Sequence, residues 1–187
     1  MSGRAFAIGA FSVVTLLSQA QAAIIPLGGS SPPDPTFSPV GATLLASATI
    51  PFTAVDPSRF TGVLTSEVYR DDPFSLFGPD GLTFVFTFFN NGPDAIERFT
   101  AIDYGGFAVD AGVFVGSVGT AVPAIMDRSL DGEILGFQDF NLGLGVLAGQ
   151  LSATLILHTN APAFVPVSYT HLRAHETKAN LVCRLLL

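Results

Sequence analysis

The chain has 187 residues, 49% of them hydrophobic, with 15 acidic against 8 basic side chains, a formal net charge of −7 and one cysteine. That length suits a single domain with ample apolar material for a core. The acidic balance argues against nucleic acid as a partner, and one cysteine excludes a disulfide framework.

The chain opens with "MSGRAFAIGAFSVVTLLSQAQA". Arg4 supplies a positive start, Ala5 to Leu17 an apolar stretch too short to span a bilayer comfortably, and Ala20-Gln21-Ala22 the small-x-small exit that signal peptidase accepts. Residues 1–22 therefore read as a signal peptide cleaved after Ala22, with Ala20 and Ala22 as its cleavage residues, and the protein as exported. From Ala23 to Val165 four arginines stand against fourteen acids, a formal charge of −10, with no cysteine. A core must hold this segment together even in an oxidising compartment.

Residues 23–40 contain "PLGGSSPPDPTFSP", where proline and glycine disfavour regular structure, and read as a flexible leader. The ordered domain is expected over 41–165. Short apolar or alternating runs follow at Ala42 to Ile50, Phe60 to Tyr69, Leu82 to Phe89, Ile96 to Ile102, Phe107 to Val115, Glu133 to Phe140 and Leu151 to His158, separated by Gly, Pro, Asp and Asn. This pattern predicts an all-β fold, an antiparallel β-sandwich of jelly-roll or immunoglobulin-like type with about seven to nine short strands. The clearest run, "LTFVFTFFN", puts Leu82, Phe84, Phe86 and Phe88 on one face, which reads as core rather than as a ligand platform. "NLGLGVLAGQ", residues 141–150, reads as a loop because its glycines oppose a helix.

Groups for chemistry are few. His158 is the sole histidine before the tail and ends the strand "SATLILHT", a position where an imidazole is solvated or bonded to a loop more often than catalytic. No G-x-S-x-G elbow accompanies it. No catalytic residue and no cofactor is assigned. Calcium is the one ion the composition accommodates, through Asp71, Asp72 and Asp80 in "YRDDP" and "GPDG", although no EF-hand pattern occurs and solvated loop acids are the plainer reading. Arg128 in "MDRSLDGE" is placed to pair with Asp127 or Asp131.

The tail changes character. Residues 166–187 bring in Lys178, Cys183, His171 and His175 together. Val167 to Thr177 resembles the translation of one arm of a transposase-type sequencing-library adapter and Asn180 to Leu187 that of the second, with a barcode between them. The tail is accordingly expected to be an artefact, and the zinc-helix-like spacing of His171, His175 and Glu176 is set aside with it.

The stretches "FTGVLTSEVYRDD", "GLTFVFTFFNNGPDAIERFTAIDYGGFAVDAG", "DRSLDGEILGF" and "GQLSATLILHTNAPAF", taken with the signal peptide, resemble the exported proteins of Gram-negative bacteria that bear a PEP-CTERM sorting tail. The family's Pro-Glu-Pro triplet, membrane helix and basic end are absent, as truncation at the adapter would leave them. The resemblance implies handling by an exosortase, membrane contact only through that missing C-terminal anchor, a place outside the cell or on its outer surface, and association with extracellular polysaccharide or biofilm matrix. Three functions follow as expectations: a non-enzymatic secreted or surface-anchored matrix protein, a carbohydrate-binding or calcium-dependent adhesive module, and a glycan-active enzyme, which needs a close carboxylate pair.

Overall fold

Alternation decides the architecture. A strand whose every second residue is Leu or Phe must bury that face against another layer, and here the other layer is a second sheet. The computed structural model describes residues 24–54, 56, 58–114, 116–117 and 119–165, with the backbone of 180–184. Among the described residues eleven strands form, in chain order β1 (Ser30–Ser31), β2 (Asp34–Thr36), β3 (Thr43–Thr53), β4 (Phe60–Arg70), β5 (Leu82–Pro93), β6 (Arg98–Ile102), β7 (Val109–Phe114), β8 (Ile125–Arg128), β9 (Ile134–Gln138), β10 (Leu155–Thr159) and β11 (Asn180–Arg184). They build a six-stranded sheet of order β2-β7-β10-β5-β4-β3 and a five-stranded sheet of order β1-β8-β9-β6-β11. Pairing is antiparallel except for β2 with β7 and β11 with β6. The chain is all-β, consistent with the sandwich expected from the strand pattern.

The core lies between the sheets and is largely phenylalanine. Phe84, Phe86 and Phe88 of β5 and Leu155 and Leu157 of β10 are buried on one side. Phe99 of β6 and Phe137 of β9 meet them from the other. The Phe99 ring lies 5.1 Å from Phe86, 5.8 Å from Phe88 and 6.1 Å from Phe137, so it is the hub of the aromatic packing. These contacts also place β6 above β5.

Three sequence expectations need correction. The leader is not uniformly irregular: β1 and β2 fall within 23–40, and Ile25 is buried. Proline is tolerated there because both strands end their sheets, where a missing N–H breaks no ladder. Strand β8 had no run of its own, being only four residues with Asp127 and Arg128 inside it. Arg128 pairs with neither aspartate; it is buried, and its guanidinium donates to the carbonyls of Tyr104, Phe107, Gly132 and Ile25 at 2.7 to 3.4 Å. Burial lowers its pKa, and those carbonyl dipoles take the place of a counter-ion. By contrast, 141–150 is a loop as expected, with Asn141, Leu142 and three glycines at positive φ.

Replacing the hub, Phe99→Ala, should cost about 3–5 kcal/mol because the rings of Phe86, Phe88 and Phe137 cannot all collapse into the space. Urea unfolding would check it, and a loss below about 1 kcal/mol would mean the sheets pack elsewhere.

Candidate functional site

Three adjacent strands each carry one polar residue at the same level of the larger sheet. The register pairs His158 of β10 with Thr83 of β5 on one side and with Asp110 of β7 on the other. Paired residues share a face, so these three form a row on the side opposite the phenylalanines. The β4–β5 connection folds over the row and lowers Asp72 onto it. Asp72 Oδ2 accepts from Thr83 Oγ1 at 2.8 Å, and its Oδ1 accepts from the Phe74 backbone N–H at 3.0 Å.

His158 therefore sits between two carboxylates. Its Nδ1 is 3.0 Å from Asp110 Oδ2, and its Nε2 is 3.3 Å from Asp72 Oδ2, an ion-pair distance too poorly aligned for a hydrogen bond. The Asp110 contact is thus the stronger of the two. His158 and Thr83 are 0% exposed, Asp110 2% and Asp72 3%. Both ring nitrogens face anionic oxygen, so the doubly protonated imidazolium is the species that fits.

The electrostatics follow from that placement. Burial on its own would lower the His158 pKa, but the contacts to Asp110 and Asp72 outweigh it and push the value up to about 9. For Asp72, burial would raise the pKa, yet the close contact with the His158 ring and the hydrogen bonds from the Phe74 N–H and Thr83 outweigh it and hold the carboxyl below its ordinary value. A charged imidazole with no exposed atom cannot meet a substrate. What it can do is join β5, β10 and β7 and hold down the loop above them.

The calcium candidates are not brought together. Asp71, at φ 60, accepts from Thr43 Oγ1 at 3.2 Å. Asp72 faces His158, and Asp80 is exposed in a turn. Among the described residues no group of three or more His, Cys, Asp or Glu is placed to hold a metal ion. Ala20, Ala22, His171, His175 and Glu176 lie outside the described residues.

A second polar constellation occupies the outer face of the smaller sheet. Arg98 of β6 reaches across β9 and binds Asp127 of β8 with both Nη atoms, Nη1 also donating to Gln138 Oε1 at 2.9 Å. The crossing point is Gly136, where a Cβ would collide with Arg98 Nη2 and Asp127 Oδ1. Glycine here is the gap through which the bidentate pair closes.

Sequence reasoning missed Thr83 and Asp110 and undervalued His158. The available signal was a polar residue interrupting an apolar strand, in "LTF", "VDAG" and "LILHT". No protein-family model matches this chain, and neither a curated protein nor a solved structure matches it.

The cluster makes stability depend on pH in a definite direction. His158 is held protonated in the fold up to about 9, against 6.5 for a free imidazole. Between those values the unfolded chain releases a proton that the fold keeps, so the contribution is complete below about 6.5 and lost as pH rises through about 9. The loss should be on the order of 3 kcal/mol. Asp72 acts oppositely, contributing above its ordinary pKa of 3.8 and failing as pH falls through its lowered value. Urea midpoints across pH 5 to 10 should fall on the alkaline side, and His158→Gln should flatten that limb while lowering stability at pH 6. Parallel profiles for the two proteins would refute the assignment.

Proposed function

We propose that the segment 23–165 is an exported, non-enzymatic β-sandwich protein of a Gram-negative bacterium that resides in extracellular polysaccharide or biofilm matrix. One observation carries this reading: the histidine of the domain is sealed between Asp72 and Asp110 and spent on holding strands together. A buried charged staple of this kind suits a structural scaffold better than a reaction centre, and it supplies cohesion where no cysteine can. The signal-peptide pattern at 1–22 and the resemblance to PEP-CTERM proteins support the location. On the same reading residues 166–187 are adapter-derived, and an exosortase handles the natural C-terminus.

Glycan binding is a second reading, favoured by one surface feature. The rings of Phe37, just after β2, and Phe74, on the loop that covers the histidine, lie 5.1 Å apart and remain 59% and 41% exposed. Exposed rings of this kind stack on sugar faces. Heat on titration with matrix polysaccharide, lost in a Phe37→Ala/Phe74→Ala double substitution, would establish it. Catalytic turnover of such polysaccharides would overturn the non-enzymatic reading.

Expressed with its signal peptide in a Gram-negative host, the protein should be recovered outside the cytoplasm with Ala23 as its first residue by N-terminal sequencing. Recovery in the cytoplasm with residues 1–22 intact would refute export.

A further inference from the structure

The loop of residues 141–150 sets its leucines in water. Leu142, 91% exposed, is the most exposed large apolar side chain among the described residues, and Leu144 at 65% and Leu147 at 41% follow it. Val122, whose carbonyl accepts the Asn141 N–H at 3.0 Å, adds a further exposed side chain at the foot of the loop. No charged residue occurs from Phe140 to Leu157, within a segment 23–165 of formal charge −10. An acidic domain thus presents a neutral, apolar tip. The backbone of that tip is held against its preference. Asn141 and Leu142 stand at φ 52 and 57, a region that asparagine tolerates but that costs leucine energy. No packing inside the domain offsets the cost, since the Leu142 side chain points away from it.

The loop nonetheless has a fixed shape. Asn141 Nδ2 donates to the Gly145 carbonyl at 3.0 Å and to Gln150 Oε1 at 3.2 Å, and Gln150 Oε1 also accepts the Leu147 N–H at 3.0 Å. Val146 is buried and exchanges both backbone bonds with Ile96. The hydrogen bonds also point to what the tip meets. Every backbone N–H from Gly143 to Leu147 donates inside the domain, as do those of Gly149 and Gln150. The carbonyls of Phe140, Asn141, Gly145, Val146 and Leu147 accept inside it. A protein interface draws its register from such groups, and here they are closed. A hydrocarbon boundary requires them closed, because an unpaired N–H finds no water there.

We propose that the 141–150 loop is a lipid-insertion tip, which seats Leu142 and Leu144 below the headgroups of a zwitterionic bilayer surface. A protruding leucine offers no groove to a partner's side chain, but it enters a soft layer without needing a matching shape. The charge of the domain selects the lipid: an acidic body is repelled by anionic headgroups, so neutral ones are the surface it can approach. The fixed loop shape presents both side chains before contact, so little ordering accompanies insertion. The inference goes beyond the matrix-protein reading, which brings this chain to a membrane only through a C-terminal anchor, and it does not depend on that reading.

The test is co-sedimentation of the chain beginning at Ala23 with phosphatidylcholine and phosphatidylethanolamine vesicles, beside a Leu142→Asn/Leu144→Ser variant. Asparagine suits the positive φ at 142, so the variant should unfold in urea no earlier than the unsubstituted chain. Residues outside the loop are common to both proteins, so the ratio of their binding reports on the tip. The partition coefficient of the variant should be lower by at least roughly tenfold. Adding phosphatidylglycerol should weaken binding at low salt, and stronger binding there would overturn the assignment to neutral lipid. The chain has no tryptophan, so Leu142→Trp gives a single reporter, whose emission should shift to the blue on vesicles and be quenched by brominated lipid. Equal sedimentation of the two proteins, or an emission that vesicles leave unchanged, would overturn the proposal. So would a blue shift that grows with protein concentration in the absence of vesicles, because a second copy would then cover the tip.

Discussion

His158 between Asp110 and Asp72 is the contact on which the arrangement of the larger sheet rests. It is made by residues from β10, β7 and the β4–β5 connection, with Thr83 of β5 closing the fourth side. The cluster gives directional bonds to a domain whose other cohesion is apolar. Burying charge is expensive, and it is tolerated because each carboxylate faces a donor.

The phenylalanine core contributes more energy, at about 25 cal/mol for each Å² of apolar surface removed from water, but it does not choose a register. The cluster does. A slip of β10 by one residue would turn His158 in among Phe84 and Phe86 and leave Asp110 and Asp72 sealed without a cation, a loss far larger than a misfitted side chain. Arg128 acts in the same way at the other sheet. Its guanidinium collects carbonyls from the N-terminal segment, the β6–β7 connection and the β8–β9 turn, and so ties three loops to one point. Arg98 and Asp127 lock β6 to β8 over Gly136. In each case an ionic group sets geometry where hydrophobic burial sets only compactness.

Much of the fold was legible because strand period is local. Leu82 to Phe89 declares its buried face within eight letters, and turns such as "NNGPD" mark where runs end. The short strands β1, β2 and β8 were not legible, since two to four residues carry no measurable period and their existence depends on a neighbour's edge. The cluster was less legible still. Thr83, Asp110 and His158 meet through register between strands far apart in the chain, a quantity absent from any local window. Asp72 illustrates the difficulty from the other side: beside Asp71 it reads as a loop acid open to a cation, and only the fold reveals that its partner is His158. Arg128 was misread because adjacency to Asp127 suggested a pair, whereas successive residues of a strand point to opposite faces.

The account depends on His158 being a buried imidazolium. Nitrogen-detected NMR of the His158 ring at pH 7.5 is the most direct measurement. Two ring N–H signals, slow to exchange with water and unchanged well above pH 7, are expected. A single N–H tautomer, or a ring that titrates near 6.5 with solvent-like exchange, would contradict the staple and with it the reading of this domain as a scaffold.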